Sequence, residues 1–520
     1  MRRGSLYLFL VLVRIYFAIS TSYIHPDEHF QGPEIIAGII LIGKVGEIFG
    51  WPVHRTWEFT SEQPIRSIFP LRLIYGPPLT LLKWLAEGAG YEVSPMAVFY
   101  VLRVQMFLLS FVLEDWALHE LLPFKPQRAT ALLLVASSYV TSTFQMHTFS
   151  NSLETITVLW CLVLIGRMKD DREHTQVKLC MALAFLGVLG IFNRITFPVF
   201  LLVPGIRLLP DLAAKPWRLL VVLLAGSLTA LMAVAMDTEY YTGSRLNFST
   251  LFQDCILTPY NNMLYNMDSA NLAQHGSHPF WQHFIANLPQ LLGPAIPLLL
   301  FSSRRNILFW SAITGITVLS CFNHQEARFL LPAVPLLLAS IRLPDSPKVR
   351  RTWFGIWILF NILAATIFGL YHQAGVLPVQ DWIRQHEANN PQHVFWWKTY
   401  SPPRWLLGQA NAQITTTDLM GMSGLQMMDR LSQSISCERG AANEVLLVAP
   451  GSATFLDAFT SKAEGEASEL SFDLAFSHRQ HIGLDDLDFG DDGFEPTIQR
   501  VFGRRGLDVW RVSKLCPASG

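Results

Sequence analysis

Residues 25–29 read His25-Pro26-Asp27-Glu28-His29, two carboxylates between two imidazoles, directly after the first apolar run of the chain. A carboxylate at a partly desolvated membrane edge is a competent general base for a hydroxyl that must lose its proton. Neighbouring side chains point in different directions, so the pair divides its work. Asp27 and Glu28 are the candidate catalytic residues, one reaching the reacting hydroxyl and the other orienting that hydroxyl or the donor. The plainer alternative is that both acids cap an interfacial helix starting near Gln31, where negative charge meets the positive end of the helix dipole. His25 and His29 have the four-residue spacing of a helical zinc pair, but Pro26 opposes helix there and no Glu occupies the zincin position. A catalytic metal is therefore not expected.

Cations and imidazoles recur near the ends of other apolar runs. His324 and Arg328 stand in Phe322-Asn323-His324-Gln325-Glu326-Ala327-Arg328-Phe329, Arg194 follows Asn193, and Arg14 interrupts the first run. Snorkelling or ion pairing at the interface is the ordinary reading of such groups. Charges in or beside membrane segments are functional by default, however. Donors converging with carboxylates point to a phosphate-bearing lipid, so His324, Arg328, Arg14 and Arg194 are candidate donor-phosphate ligands. Trp57 and Glu58 suit a sugar, an aromatic face for the ring and a carboxylate for its hydroxyls; with His275 and His278 they are the candidate acceptor ligands. Trp57 has an alternative reading as an interfacial anchor.

The elements that must position these residues are largely membranous. Of the 520 residues 51% are hydrophobic and 15% charged, against about 25% charged in soluble domains. The net charge of −1 gives no footprint for nucleic acid. Eleven apolar runs are candidate spans: 5–20, 97–118, 129–146, 152–167, 178–193, 196–209, 219–236, 286–301, 305–322, 328–341 and 352–372. The first reads as an uncleaved signal anchor, since no small-x-small site follows it and Arg14 interrupts it. Segments 33–49 and 68–88, the latter broken by Gly76-Pro77-Pro78, read as interfacial or re-entrant helix in a large first loop.

With the N-terminus in the cytosol, the basic loops Lys125–Arg128, Arg167–Lys169, Lys215–Arg218, Arg304-Arg305 and Lys348–Arg351 all fall on the cytosolic side. Loops 21–96, 147–151, 194–195, 237–285 and 323–327, and everything after 372, then share the lumenal side, where the sequon at Asn247 could be glycosylated. The tail is polar, with strand-like runs at 445–448 and 507–512. The expected organisation is a mainly α, multispanning domain over 1–372 and a small lumenal α/β domain over 373–520. Six scattered cysteines form no CxxC pair, and Cys437 and Cys516 could form a disulfide in an oxidising lumen.

The string Tyr23 to Gln31 resembles the signature of lipid-dependent mannosyltransferases of the GT-C superfamily (glycosyltransferase family 22), which build GPI anchors and dolichol-linked oligosaccharides. Thr258 to Pro279, His324 to Leu330 and Thr148 to Thr155 are similar to further segments of that family, although His147 stands where the family usually has Arg. The likeness runs from about residue 5 to 410. It implies a GT-C-like helical bundle of about eleven spans in the endoplasmic-reticulum membrane, with its site in the lumen. It implies dolichyl-phosphate-mannose as donor, a GPI-precursor glycolipid as acceptor, no cofactor, and transfer of an α1,2-linked mannose to the third mannose with inversion. By motif Asp27 is the base.

Two other readings remain open. One is a different mannosyltransferase of the superfamily, acting on the third GPI mannose or a dolichol-linked oligosaccharide. The other is a proton-coupled transporter using the carboxylates as a relay, which the absence of internal repeats disfavours.

Overall fold

The computed structural model describes residues 3–38, 48–170, 176–243, 253–268, 270–271, 276–387, 393–435, 444–460, 469–487 and 493–514. Asn247, His275, Cys437 and Cys516 lie outside the described residues. The chain is a mainly helical, multi-pass membrane protein with a small mixed sheet near its C-terminus.

Every one of the eleven apolar runs contains helix, but among the described residues six helices, or seven if a bent pair counts as one span, are both long and apolar enough to cross a membrane. The six are Pro95–Leu121, Ser150–Lys169, Gln176–Asn193, Phe197–Ala214, Pro216–Thr242 and Pro347–Tyr371. The remainder are bent, broken or short. His283–Leu292 and Ala295–Ser302 bend by 117° at Gly293, whose φ of +45° and lack of a Cβ let the Phe360 ring approach. The run at 129–146 stops at Ser137, after which Asn361 accepts the Tyr139 backbone N–H at 2.7 Å. The run at 328–341 carries Pro332 and Pro335 and keeps only Ala333–Ser340 as α-helix. The first run forms α1, Arg3–Ala18, a shorter apolar helix. Segment 68–88 splits into Phe69–Ile74 and Gly76–Gly88, neither long enough to span.

Charges inside the bundle are matched. Arg14 bonds Asp115 at 3.0 Å and Ser110 at 2.8 Å. A π-helical turn, Ser110–Glu114, interrupts Pro95–Leu121 beside these partners, a common device at sites with special side-chain demands. Arg103 donates to the carbonyls of Ala18 (3.3 Å) and Ser20 (3.1 Å), which α1 leaves unpaired at its end.

The tail holds five strands: β1 (His393–Trp396), β2 (Thr415–Asp418), β3 (Glu444–Pro450), β4 (Leu470–His478) and β5 (Leu507–Lys514). Their order is β2-β1-β3-β5-β4. β1 runs parallel to β2 and β3, while β5 runs antiparallel to β3 and β4. Side chains alternate across the sheet. Val394 and Trp396 join Tyr23, Ile36, Trp51 and Trp405 in one core, whereas Phe395 and Trp397 join Met427 and Leu431 in another. The first core fastens the sheet onto the segment that follows α1. Backbone bonds reinforce it: Tyr23 N donates to His372 O at 3.1 Å, Tyr23 Oη to Ser401 O at 3.0 Å, and Trp405 N to the Glu34 carboxylate at 3.1 Å.

Candidate active site

Asp27–Phe30 forms a single helical turn, α2, entered through Pro26. Successive side chains on such a turn point roughly 100° apart, and that separates the two carboxylates. Asp27 lines a cavity of about 1110 Å³. Glu28 is 1% exposed and does not line it. Its carboxylate meets the His147 ring, accepts the Ile24 N–H at 3.1 Å and lies 4.0 Å from Arg103. Burial pushes the Glu28 carboxyl up, to about 8, against the pull of Arg103, and burial pushes His147 down. Acid and imidazole thus share one proton in the interior. The expectation that Glu28 reaches donor or acceptor does not match this placement: the turn aims it at the core.

Around Asp27 the charges form a chain. Arg328, on the 3₁₀ turn Ala327–Leu330, pairs with Asp27 and with Glu326, its Nη2 lying 3.0 Å from Glu326 Oε1. His324 Nε2 lies 2.9 Å from the other side of that interaction, at Glu326 Oε1. Gln31, one helical turn beyond Asp27, donates to Asp27 Oδ2 at 2.5 Å and to Glu58 Oε2 at 3.2 Å. Arg66 then bonds Glu58 at 2.8 Å. Burial opposes ionisation of Asp27, but the positive charges of Arg328, His25 and Arg66 outweigh it and hold the carboxyl below its ordinary value. The same opposition, resolved by Arg328 and His324, holds Glu326 well below the usual carboxylate range.

Arg194 lines the cavity from another helix end, bonding Ser150 Oγ at 3.1 Å and Glu154 at 3.2 Å. The Phe329 ring is contacted by both guanidiniums, 5.1 Å from Arg194 and 5.4 Å from Arg328. Val199, Val318, Leu319 and Phe322 make the adjoining wall apolar. Two arginines beside an apolar wall can hold an anion carried on a hydrocarbon chain, and the ionised Asp27 beside them can accept a proton.

The structure therefore brings together Asp27, His324, Arg328, Arg194, Trp57 and Glu58 in one cavity. Trp57 stacks obliquely on Tyr265 with ring centres 4.8 Å apart. His278 stands behind His324, ring centres 6.3 Å apart, and accepts the Gln325 N–H at 3.4 Å without lining the cavity. Arg14 lies elsewhere, inside the helix bundle against Asp115. Its guanidinium is consumed by the acids of the interrupted helix, a partnership that chain position does not disclose. His147 also stays off the cavity, against Glu28.

Among the described residues no group of three or more His, Cys, Asp or Glu is arranged to hold a metal ion. Several lining residues escaped the sequence reading. Gln31 had a signal, its four-residue spacing from Asp27. Lys398, Tyr400, Asp418, Asp485 and Asp486 had none, because they arrive from the tail.

The chain has relatives among known proteins. Residues 5–408 match the model of the Alg9-like mannosyltransferase family. GPI mannosyltransferase 4 of Aspergillus oryzae is 45% identical over 98% of this chain and 98% of its own. GPI mannosyltransferase 4 of Saccharomyces cerevisiae is 32% identical over 99% of this chain and 100% of its own. Among solved structures, ArnT from Cupriavidus metallidurans bound to undecaprenyl phosphate superposes with a TM-score of 0.49 at 10% identity, covering 89% of this chain and 96% of that one. On the family match and the full-length relatives, the chain belongs to the Alg9-like mannosyltransferase family and groups within it with the GPI mannosyltransferases 4.

Proposed function

We propose that the protein adds the fourth mannose to a GPI precursor, taking an α1,2-linked mannose from dolichyl-phosphate-mannose onto the third mannose. The observation that carries this reading is the meeting of Asp27 and Arg328, 301 residues apart in sequence, in a cavity with an adjoining apolar wall. The apolar wall takes the first part of the lipid, and Arg328 and Arg194 take its phosphate. Asp27 accepts the proton of the acceptor hydroxyl as that oxygen attacks the anomeric carbon. The carbon–oxygen bond to phosphate breaks on the opposite face, so the configuration inverts and dolichyl phosphate leaves with its charge met by the arginines.

The ion pair adds a timing element. While Arg328 faces Asp27 the carboxylate is a weak base. Once a donor phosphate shares that guanidinium, the burial opposing ionisation is less compensated and proton affinity rises as the hydroxyl arrives. His324 and Glu326 hold Arg328 in place. Residues 1–372 are the GT-C-like catalytic domain in this reading and 373–520 a small lumenal domain packed against it, with the enzyme in the endoplasmic-reticulum membrane. The test is incubation of the purified protein with dolichyl-phosphate-mannose and a trimannosyl GPI lipid. A four-mannose product that α1,2-mannosidase trims supports the proposal. Transfer only to a different acceptor, or a product resistant to that mannosidase, overturns it.

A further inference from the structure

The cavity wall facing Asp27 is built partly by the C-terminal sheet region, through Lys398, Thr399, Tyr400, Asp418, Asp485 and Asp486. Behind it lies a second cavity of about 350 Å³. The two share Lys398, Gly421, Asp485 and Asp486, so those residues form a seam with space on both sides. The second cavity adds Arg500, Ser423, Ser452 and the rings of Trp397 and Phe455. It therefore combines cations, carboxylates, hydroxyls and aromatic surface, the mixture that recognises a polyhydroxylated ligand.

The seam is held firmly. Asp485 bonds the Tyr400 hydroxyl, Asp486 accepts Ser452 Oγ at 2.7 Å, and Lys398 N donates to Met420 O at 2.8 Å. The Thr399 hydroxyl oxygen, on the larger cavity's wall, is buried without a hydrogen-bond partner. Among the described residues the non-glycine positions with positive φ are Gln373, Lys398 and Met420, and all three line the cavity.

We propose that this seam is the glycan subsite of the acceptor: Lys398, Asp485 and Arg500 bind hydroxyls of the sugars preceding the reacting one, steering the acceptor terminus to Asp27. The inference rests on the acceptor-glycan reading above and adds where that glycan lies. Asp27 and the arginines can engage the reacting sugar and the donor. An acceptor already carrying several sugars needs further surface, and the polar surface joined to the cavity is this one.

Asp485→Asn, Lys398→Met and Arg500→Met are compared with the parent protein at matched abundance. Two acceptors are used: a trimannosyl GPI lipid and a lipid bearing one α-mannose. Loss of a charged hydrogen bond is expected to raise the KM for the trimannosyl lipid about tenfold to a hundredfold. The KM for dolichyl-phosphate-mannose and the use of the one-mannose lipid should not change. Donor kinetics serve as the folding control, and any one of the three variants that keeps its donor KM suffices. An unchanged KM for the trimannosyl lipid overturns the subsite, as does an equal loss on both acceptors. If the parent protein itself does not extend the trimannosyl lipid, the acceptor reading fails, a result distinct from failure of the subsite alone.

Discussion

Replacing Asp27 by Asn tests the centre of the mechanism, because the structure separates its effect on chemistry from its effect on folding. Asp27 Oδ2 accepts from both Gln31 and Arg328. An amide oxygen in the same place can accept from both, with the amide nitrogen turned toward His25, whose Nδ1 lies 3.6 Å from Asp27 Oδ1. Arg328 also keeps Glu326, so the substitution leaves no unpaired buried cation. The structural cost is the difference between charged and neutral hydrogen bonds, about 1 kcal/mol. The catalytic cost is the loss of the group assigned to take the proton, about 10²–10⁴-fold, or roughly 3–5 kcal/mol of transition-state stabilisation. In microsomes lacking the native enzyme, Asp27→Asn should accumulate at near-normal levels and leave a three-mannose GPI lipid unextended. Extension within a few-fold of the parent protein, at matched abundance, would refute the assignment of Asp27 as base and reduce α2 to a helix cap.

Glu28→Gln should retain measurable transfer, since the neutral acid it replaces is buried and off the cavity, whereas Glu28→Ala should lower stability by about 3 kcal/mol by stranding His147 and the Ile24 N–H; thermal melting of detergent-extracted protein distinguishes these. Arg328→Ala should raise the donor KM about tenfold or more, with only partial rescue by Lys, because a bidentate guanidinium is lost. It should also move the acid limb of kcat/KM upward. Asp27 is held below its ordinary value chiefly against burial and by Arg328, so its charge, and the stability that charge contributes, persists down through the usual aspartate range and is lost only as pH falls through the lowered value; without Arg328 the loss comes earlier. An unmoved limb would detach Arg328 from the base. Protease digestion of sealed microsomes should spare a C-terminal tag, and cleavage of the tag without detergent would overturn the lumenal placement.

Hydrophobic runs announced where helices form, and all eleven contain one. Their lengths were not legible, because the interruptions arise from contacts across the bundle. Gly293 is an ordinary residue in the sequence and a 117° corner against Phe360 in the fold. The strand-like runs at 445–448 and 507–512 fall within β3 and β5, but their neighbours in the sheet could not be read locally. The His25–His29 motif marked a turn that lines the cavity, but its spacing alone did not say which acid faces it; only the family resemblance singled out Asp27. That depends on the direction in which the chain leaves α1, set by Arg103 and by His372 from distant segments. Arg14 looked like Arg194 in sequence, and only the three-dimensional partners, Asp115 for one and a cavity edge for the other, tell them apart.

The docking of Tyr23 onto Ser401 has a consequence for the order in which the protein matures. The two residues are separated by 378 positions, which at about 5–20 residues per second of synthesis corresponds to roughly 20–75 s between their appearance. During that interval the segment bearing Asp27 has left the ribosome, but the backbone and sheet that fix its direction do not yet exist. Until Ser401 is made, the segment lacks that contact. A ribosome that stalls or terminates before Ser401 releases a membrane-inserted product in which Tyr23 has no Ser401 to dock on, so quality control acting on the final domain also acts on the orientation of the first loop.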